Sequence, residues 1–127
     1  MKRILVVLGL FLILLGGLHA ATLFTTPVII VTPAALKFGA ADSRRNMTNT
    51  FLIENAGGGK LIGKATVKPP FKIIDGGSYT LKENEAQVVT VIYVPKDHPK
   101  ETGAVTNLVK FTGGSGAEAT VIGKPLK

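Results

Sequence analysis

The chain has 127 residues, a formal net charge of +7 and no cysteine. This length suits one domain built around a single core. The lack of cysteine excludes disulfides, a thiol nucleophile and a lipid anchor carried on cysteine. Beyond the first 20 residues the chain holds one histidine, His98, which excludes the His/Cys copper site of an electron-transfer sandwich.

The first residues have the three-part pattern of a secretory signal peptide. Met1-Lys2-Arg3 is basic, Ile4–Leu15 is apolar, and small residues follow up to Ala21. We predict a signal peptide over residues 1–20 and a single domain over residues 21–127. The leader holds two of the fifteen basic residues and none of the eight acidic ones, so cleavage leaves a net charge of +5. The alternative is an uncleaved membrane anchor, since Ile4–Phe24 is just long enough to span a bilayer.

The remaining sequence reads as short extended runs divided by Gly, Pro, Asn and Asp. The runs are Val28–Val31, Leu36–Phe38, Asn49–Asn55, Lys60–Val67, Phe71–Ile74, Gln87–Val94, Thr106–Thr112 and Glu118–Lys124. Alternation assigns inward-facing side chains in three of them: Phe51 and Ile53; Val89, Val91 and Tyr93; Val109 and Phe111. Outside the leader no window has helical periodicity. Strands at this spacing predict an all-β antiparallel sandwich or a small barrel.

Seven short pieces of sequence follow one another in order along these runs. They are Pro33–Gly39, Phe51–Gly57, Pro70–Ile73, Leu81–Glu85, Val89–Pro95, Gly103 and Val121–Gly123. Together they resemble the abnormal-spindle/hydin (ASH) domains, which also occur in bacterial choice-of-anchor D proteins. The resemblance covers about residues 28–124.

The resemblance implies an immunoglobulin-like antiparallel β-sandwich of seven to eight strands. It also implies kinship with major sperm protein and pilus-chaperone domains, and a non-enzymatic scaffold or binding role. The chain departs from the family at two turns. Ala40–Arg45 stands where the family has a glycine, and Glu83-Asn84 replaces its Pro-Gly turn. Asn84 tolerates positive φ, so we expect the second turn to be retained.

Residues that could catalyse a reaction or bind a metal form no recognisable motif. The serines Ser43, Ser78 and Ser115 lie outside a Gly-x-Ser-x-Gly elbow, and His98 has no second histidine to act with. A transition-metal site needs several His or Cys ligands. Gly57–Lys60 lacks the Ser or Thr that follows the lysine of a phosphate loop. We therefore expect no catalytic, cofactor or metal site, and no enzyme activity.

Two segments are candidate contacts for a partner. The run Val28–Val31 is apolar on both sides, so it is either buried under a second sheet or a docking strand, with Val28 and Ile30 as contacts. Arg44 and Arg45 are adjacent in a predicted loop, where they either clamp a carboxylate or phosphate or remain solvated. An open-edged sandwich can also pair with a partner strand.

These features predict an exported, non-enzymatic protein-binding or assembly module of the cell envelope, periplasmic or secreted. Two alternatives stay open: a pilus-chaperone-like protein that binds a strand-donor subunit, and a membrane-tethered structural subunit with an uncleaved N-terminal helix. The positive charge favours contact with an anionic envelope surface. The lysines are spread singly, which argues against nucleic acid as a partner. A membrane contact is expected only if the leader is retained.

Overall fold

Nine short strands, β1 to β9, build the part of the chain that the computed structural model describes, residues 26–38, 45–97 and 103–124. The strands are β1 Ile29–Thr32, β2 Ala35–Phe38, β3 Met47–Asn55, β4 Leu61–Thr66, β5 Phe71–Asp75, β6 Ser78–Leu81, β7 Ala86–Tyr93, β8 Val105–Phe111 and β9 Ala117–Gly123. A short 3-10 turn, Pro95–Asp97, follows β7. Within these three ranges, no helix has the length and apolar character needed to cross a bilayer. The predicted leader lies outside them.

The strands form two sheets whose inner faces pack together. One sheet has four strands in the order β1-β3-β7-β5, and the other has five in the order β2-β9-β8-β4-β6. This confirms the predicted all-β sandwich. One pair departs from the expected antiparallel arrangement, since β2 and β9 run parallel. The reason is that the chain does not reverse between β1 and β2. It passes through Pro33 from the edge of the first sheet to the edge of the second.

The eight predicted runs all occur as strands, with ends that agree within two residues. The ninth strand, β6, has only four residues between two turns and was not predicted. Its four residues do alternate, with Tyr79 and Leu81 buried and their neighbours exposed. The described residues therefore hold one strand more than the upper limit of seven to eight.

The inward-facing residues predicted from alternation form the core. Phe51, Ile53, Val89, Val91, Tyr93, Val109 and Phe111 are all buried. Aromatic rings join the two layers: Phe38 of β2 lies 5.6 Å from Phe71 and 5.7 Å from Tyr93, measured between ring centroids. Such ring pairs add to the stabilisation that burial already provides.

Both tyrosines are buried, and each donates its hydroxyl to a backbone carbonyl. Tyr93 bonds the carbonyl of Lys124 at 2.6 Å, and Tyr79 bonds that of Thr112. Burial raises the pKa of both phenols above the ordinary value of 10.0, although the hydrogen bond to Thr112 partly opposes this for Tyr79. Because the neutral phenol is the form that the fold favours, this stabilisation is complete below pH 10. It is lost only as pH rises through the raised pKa values.

Aspartate substitutions at two neighbouring positions of β1 should distinguish its buried face from its exposed face by their effects on stability. Ile29 is 6% exposed and Ile30 is 47% exposed. Ile29→Asp places a carboxylate in the core and should cost about 3 kcal/mol or more of unfolding free energy. Ile30→Asp should cost about 1 kcal/mol or less. Urea unfolding followed by circular dichroism measures both variants. A greater loss in Ile30→Asp would contradict the register of β1.

Candidate interaction surface

Strand β1 forms one edge of the four-stranded sheet. It pairs only with β3, from Ile29 opposite Asn55 to Thr32 opposite Leu52. The carbonyl of Val28 accepts a hydrogen bond from the N–H of Ala56 at 2.8 Å. Hydrogen-bonded and non-bonded pairs alternate in an antiparallel ladder, so the N–H and C=O groups of Ile29 and Val31 point away from β3. Among the described residues no strand pairs with this edge, and a strand from another protein could do so.

The side chains of β1 divide between core and solvent. Ile29 is buried and Val31 is half-buried against the core, whereas Val28 and Ile30 are exposed. One face of this apolar run therefore belongs to the core, and its exposed face stays a predicted contact.

The side chain of Asn55 fixes the start of β1. Asn55 is fully buried, and its Oδ1 accepts hydrogen bonds from the N–H groups of Val28 at 3.2 Å and Gly57 at 3.0 Å. Its Nδ2 donates to the carbonyls of Gly59 at 3.3 Å and Leu81 at 3.1 Å. A carboxamide can accept two hydrogen bonds and donate two, so this group is fully satisfied.

The backbone of Asn55 adds the turn between β6 and β7 to this network. Its N–H donates to the carbonyl of Glu85 at 3.0 Å, and its carbonyl accepts from the N–H of Asn84 at 2.8 Å. Asn84 has φ of 65°, which confirms the turn expected from its tolerance of positive φ. Asn55 therefore holds β1, the β3–β4 loop, the end of β6 and this turn together.

The β3–β4 loop lies directly against the segment that leads into β1. The N–H of Gly58 donates to the carbonyl of Thr26 at 3.2 Å. A Cβ at Gly57 would overlap that same carbonyl oxygen and would lie 2.8 Å from the nitrogen of Val28. Glycine is thus required at position 57 because the backbones of the loop and of β1 approach this closely.

The outer face of the four-stranded sheet carries most of the exposed large apolar side chains. In the described ranges there are seven, and five belong to this sheet or lead into it: Val28, Ile30, Leu52, Ile74 and Val88. Leu52 and Val88 lie directly opposite each other on the two central strands, 44% and 51% exposed. We call Leu52, Val88 and Ile74 the apolar band, in which Ile74 is the unpaired residue of a bulge in β5. Contiguous exposed apolar surface is a common feature of interaction sites.

The structure does not bring Arg45 together with Val28 and Ile30. Arg45 is exposed and precedes β3, whereas Ile30 lies opposite Glu54 at the other end of that strand. The separation is about 30 Å along the strand. Arg44, Ser43 and His98 lie outside the described residues.

Sequence reasoning missed the apolar band, although a signal for it exists. Strict alternation fails at Phe51-Leu52-Ile53, Ile73-Ile74 and Val88-Val89, where apolar residues are consecutive. In each case one side chain is inward and its neighbour is exposed.

Over the residues that the structure describes, no group of three or more His, Cys, Asp or Glu could hold a metal ion. The surface offers backbone pairing and apolar contact.

No protein-family model matches the chain, and no curated protein matches it in sequence. Among solved structures, the ASH/PapD-like domain of human CEP192 (PapD-like domain 7) aligns with a TM-score of 0.61 and 12% identity, covering 81% of this chain and 88% of that one. The Pseudomonas aeruginosa CupB2 chaperone aligns with a TM-score of 0.59 and 14% identity. The alignment covers 76% of this chain and 55% of the chaperone chain. The periplasmic chaperone SfaE aligns with a TM-score of 0.61 and 6% identity. The alignment covers 79% of this chain and 59% of the SfaE chain.

These similarities confirm the ASH-like, immunoglobulin-like fold expected from the seven sequence pieces. At identities of 6% to 14% they show the fold alone. The chain spans little more than half the length of each chaperone.

Aspartate at position 55 should break two hydrogen bonds of the Asn55 side chain and lower the stability of the domain. One carboxylate oxygen would still accept from Val28 and Gly57, but the other would face the carbonyls of Gly59 and Leu81. We expect Asn55→Asp to cost about 3 kcal/mol or more at pH 7. Burial raises the pKa of the introduced carboxyl in the folded protein above the value of about 3.9 in the unfolded chain, so the loss should shrink as pH falls from 7 towards about 4 and change little below that. Urea unfolding at several pH values measures this.

The control is Asn49→Asp, an exposed position on the same strand. It should change stability by less than about 0.5 kcal/mol. Equal losses in the two variants, or a loss at position 55 that is independent of pH, would contradict the role of Asn55.

Alanine at position 57 should displace the start of β1. The added Cβ overlaps Thr26 and Val28, so Gly57→Ala should cost about 1–3 kcal/mol and expose the amide of Ile30 to hydrogen exchange. Gly103→Ala is the matched control, because a Cβ there meets no atom within 4 Å. Exchange measured by NMR compares the two. Unchanged protection of Ile30 in Gly57→Ala would show that the loop does not position β1.

Proposed function

We propose that the chain is an exported, non-enzymatic protein-binding or assembly module of the cell envelope. In this proposal β1 pairs with a strand of its partner. The observation that carries it is the open edge of β1, with outward-pointing backbone groups at Ile29 and Val31 beside the exposed side chains of Val28 and Ile30. A partner strand would extend the four-stranded sheet, with backbone hydrogen bonds for affinity and alternate side chains for specificity.

Two observations support export and a binding role. The leader pattern over residues 1–20 is that of a secreted or periplasmic protein. The fold is also that of the periplasmic chaperone SfaE and of an ASH/PapD-like domain, neither of which is named as an enzyme.

Arg44 and Arg45 would provide a second, separate contact. Arg45 lies at the opposite end of the sandwich from Val28, so a partner that uses both must run the length of the four-stranded sheet. A guanidinium there would bind a carboxylate or phosphate group of the partner. The net positive charge would also bring the protein towards an anionic envelope surface.

The likeness to two chaperones supports one alternative, a pilus-chaperone-like protein that binds a strand-donor subunit. It predicts the same use of the β1 edge. A membrane-tethered structural subunit is the other alternative, and it requires that the leader be retained.

Proline substitution tests the β1 edge without removing its bonds to β3. Val31→Pro deletes an N–H that points away from β3, so the domain should fold but lose its partner in affinity purification of the tagged, exported chain. Thr80→Pro is the matched control. Thr80 belongs to β6, an edge strand of the other sheet, and lies opposite Ile62 of β4. The N–H of Ala65 on β4 bonds the carbonyl of Gly77. Because bonded and non-bonded pairs alternate along the two strands, the N–H of Thr80 points away from β4.

Mass spectrometry of the captured proteins measures the outcome. Equal recovery of the same proteins with both proline variants would overturn the β1 edge as the contact. The intact mass of the same preparation reports export: a chain that begins near Ala21 supports the proposal, and one that begins at Met1 supports the tethered alternative.

A further inference from the structure

Strands β4 and β8 separate part-way along the five-stranded sheet and leave a groove open to solvent. They pair only at Thr66 with Lys110 and at Ala65 with Phe111, although β8 begins at Val105 and pairs with β9 over its whole length. The groove measures about 610 Å³, and it is closed at the end where the two strands pair. Its walls are Thr66, Val67 and Lys68 on one side and Thr106, Leu108 and Lys110 on the other.

The backbone of β8 faces this groove with groups that no strand binds. The N–H of Thr112 donates to the carbonyl of Lys64 at 3.0 Å, so every second residue of β8 directs its N–H and C=O groups towards β4. Those residues are Lys110, Leu108 and Thr106. Because the pairing stops at Lys110, among the described residues Leu108 and Thr106 have no strand beside them on this side. A central strand of the sheet therefore has an open edge about 7 Å long.

The side chain of Asn107 fixes the two walls of the groove relative to each other. Its Nδ2 donates to the carbonyls of Lys68 and Pro69, each at 3.1 Å. Both carbonyls belong to the segment that connects β4 to β5. The amide thus spans the gap that backbone hydrogen bonds would span between paired strands. A groove that is fixed in this way is preorganised, which lowers the cost of binding.

The charge of the groove is positive. Lys68 and Lys110 place one ammonium group on each wall, and no carboxylate belongs to the described residues that line the groove. Glu118 lies opposite Lys110 on β9, on the side of β8 that is away from the groove. The side chain of Leu108, 49% exposed, adds apolar surface to the wall. The groove therefore suits a ligand that combines a negative charge with an uncharged body.

We propose that this groove binds the C-terminal end of a partner polypeptide in an extended conformation. Backbone N–H and C=O groups along a strand bind another extended backbone. A strand that enters along β8 has to end where β4 and β8 pair, because their backbone bonds close the groove there. The chain terminus that carries negative charge is the C-terminus, and its carboxylate would lie beside Lys110, with Lys68 on the facing wall. The bound strand would therefore run parallel to β8.

The site goes beyond the proposed function, since it lies on the other sheet from the β1 edge. Strand β8 is the third of five strands in its sheet, whereas β1 is the first of four in the other. A partner bound at one site leaves the other accessible. The chain could thus hold an edge strand of one protein and the C-terminus of another.

A matched pair of peptides tests the chemistry of the terminus. The probe is acetyl-Val-Thr-Val-Thr-Val with a free carboxyl group, and the control is the same peptide ending in a carboxamide. We expect the free acid to bind the purified, exported chain at least about 10-fold more tightly, because only its terminus is charged. Isothermal titration calorimetry at low salt measures both affinities. Equal affinities, or no binding of the free acid, would overturn the proposal.

A third peptide, acetyl-Val-Asp-Val-Thr-Val carboxamide, carries its carboxylate on a side chain and not at the terminus. It should bind at least about 10-fold more weakly than the free acid, since an internal carboxylate cannot reach the closed end of the groove in register. Binding as tight as that of the free acid would show that the groove recognises acidic side chains, and the assignment to a C-terminus would be wrong.

Neutral substitutions of the two lysines test which charges act. Lys110→Gln and Lys68→Gln should each weaken binding of the free acid about 3- to 10-fold and leave the carboxamide unchanged. Lys37→Gln is the matched control, because Lys37 lies on β2, two strands away from β8 in the same sheet. It should change the affinity less than about 2-fold. An equal loss in Lys37→Gln would mean that only the overall charge attracts the peptide.

Hydrogen exchange measured by NMR shows where the peptide pairs. The amides of Leu108 and Thr106 should exchange more slowly in the complex, because their N–H groups face the groove. The amides of Asn107 and Val109 face β9 and should change little. Unchanged exchange at Leu108 in a chain that binds the free acid would contradict strand pairing in the groove.

The two proposed sites can be tested separately. Val31→Pro alters the β1 edge of the other sheet, so it should leave the affinity for the free acid unchanged. Lys110→Gln should still capture the partner of the β1 edge. Loss of peptide binding with capture retained, and loss of capture with peptide binding retained, are therefore distinct outcomes.

Discussion

Three other segments of the chain meet at the carboxamide of Asn55, and the interaction surface depends on that meeting. The group is buried, so each of its donors and acceptors needs a partner within the protein. Those partners are Val28, Gly57, Gly59 and Leu81, which belong to the segment that leads into β1, the β3–β4 loop and β6, an edge strand of the other sheet. Any arrangement that separates these segments leaves buried polar groups unsatisfied, at about 1–3 kcal/mol each. A strand of four residues such as β1 has few other bonds to hold it.

The inward-facing side chains of the strands form the core, so only outward-facing side chains and strand edges are available to contact a partner. Inward residues such as Phe51 and Val89 are completely buried and are needed for stability. The open edge of β1 and the apolar band on β3, β5 and β7 contribute little to that core. They can therefore serve as binding surfaces at small cost in stability. The two surfaces are adjacent but not identical, because one uses the backbone at the end of the sheet and the other uses side chains on its face.

Local pattern predicted much of the fold and less of the candidate site. Alternation identified Val89, Val91 and Tyr93 as core, and turn residues located eight of the nine strands. It failed for β6, where a strand of four residues was too short to stand out from its turn. The same reasoning predicted Val28 and Ile30 as candidate contacts, and both side chains are exposed, but it passed over the exposed Leu52 and Val88. In Phe51-Leu52-Ile53 and Val88-Val89 an outward apolar residue stands next to inward ones, and alternation alone treats the whole run as core.

The amino-acid sequence by itself determined which residues can share a face of a strand, since successive side chains of a strand point to opposite sides whatever the strand pairs with. It also determined the turn at Asn84, because that depends on one residue's tolerance of positive φ. Only the tertiary structure decided that β1 is an edge, that β2 runs parallel to β9, that Leu52 lies opposite Val88, and that Arg45 is distant from Ile30. These are relations between strands far apart in the chain. They follow from how two sheets enclose one core, and no local preference contains that information.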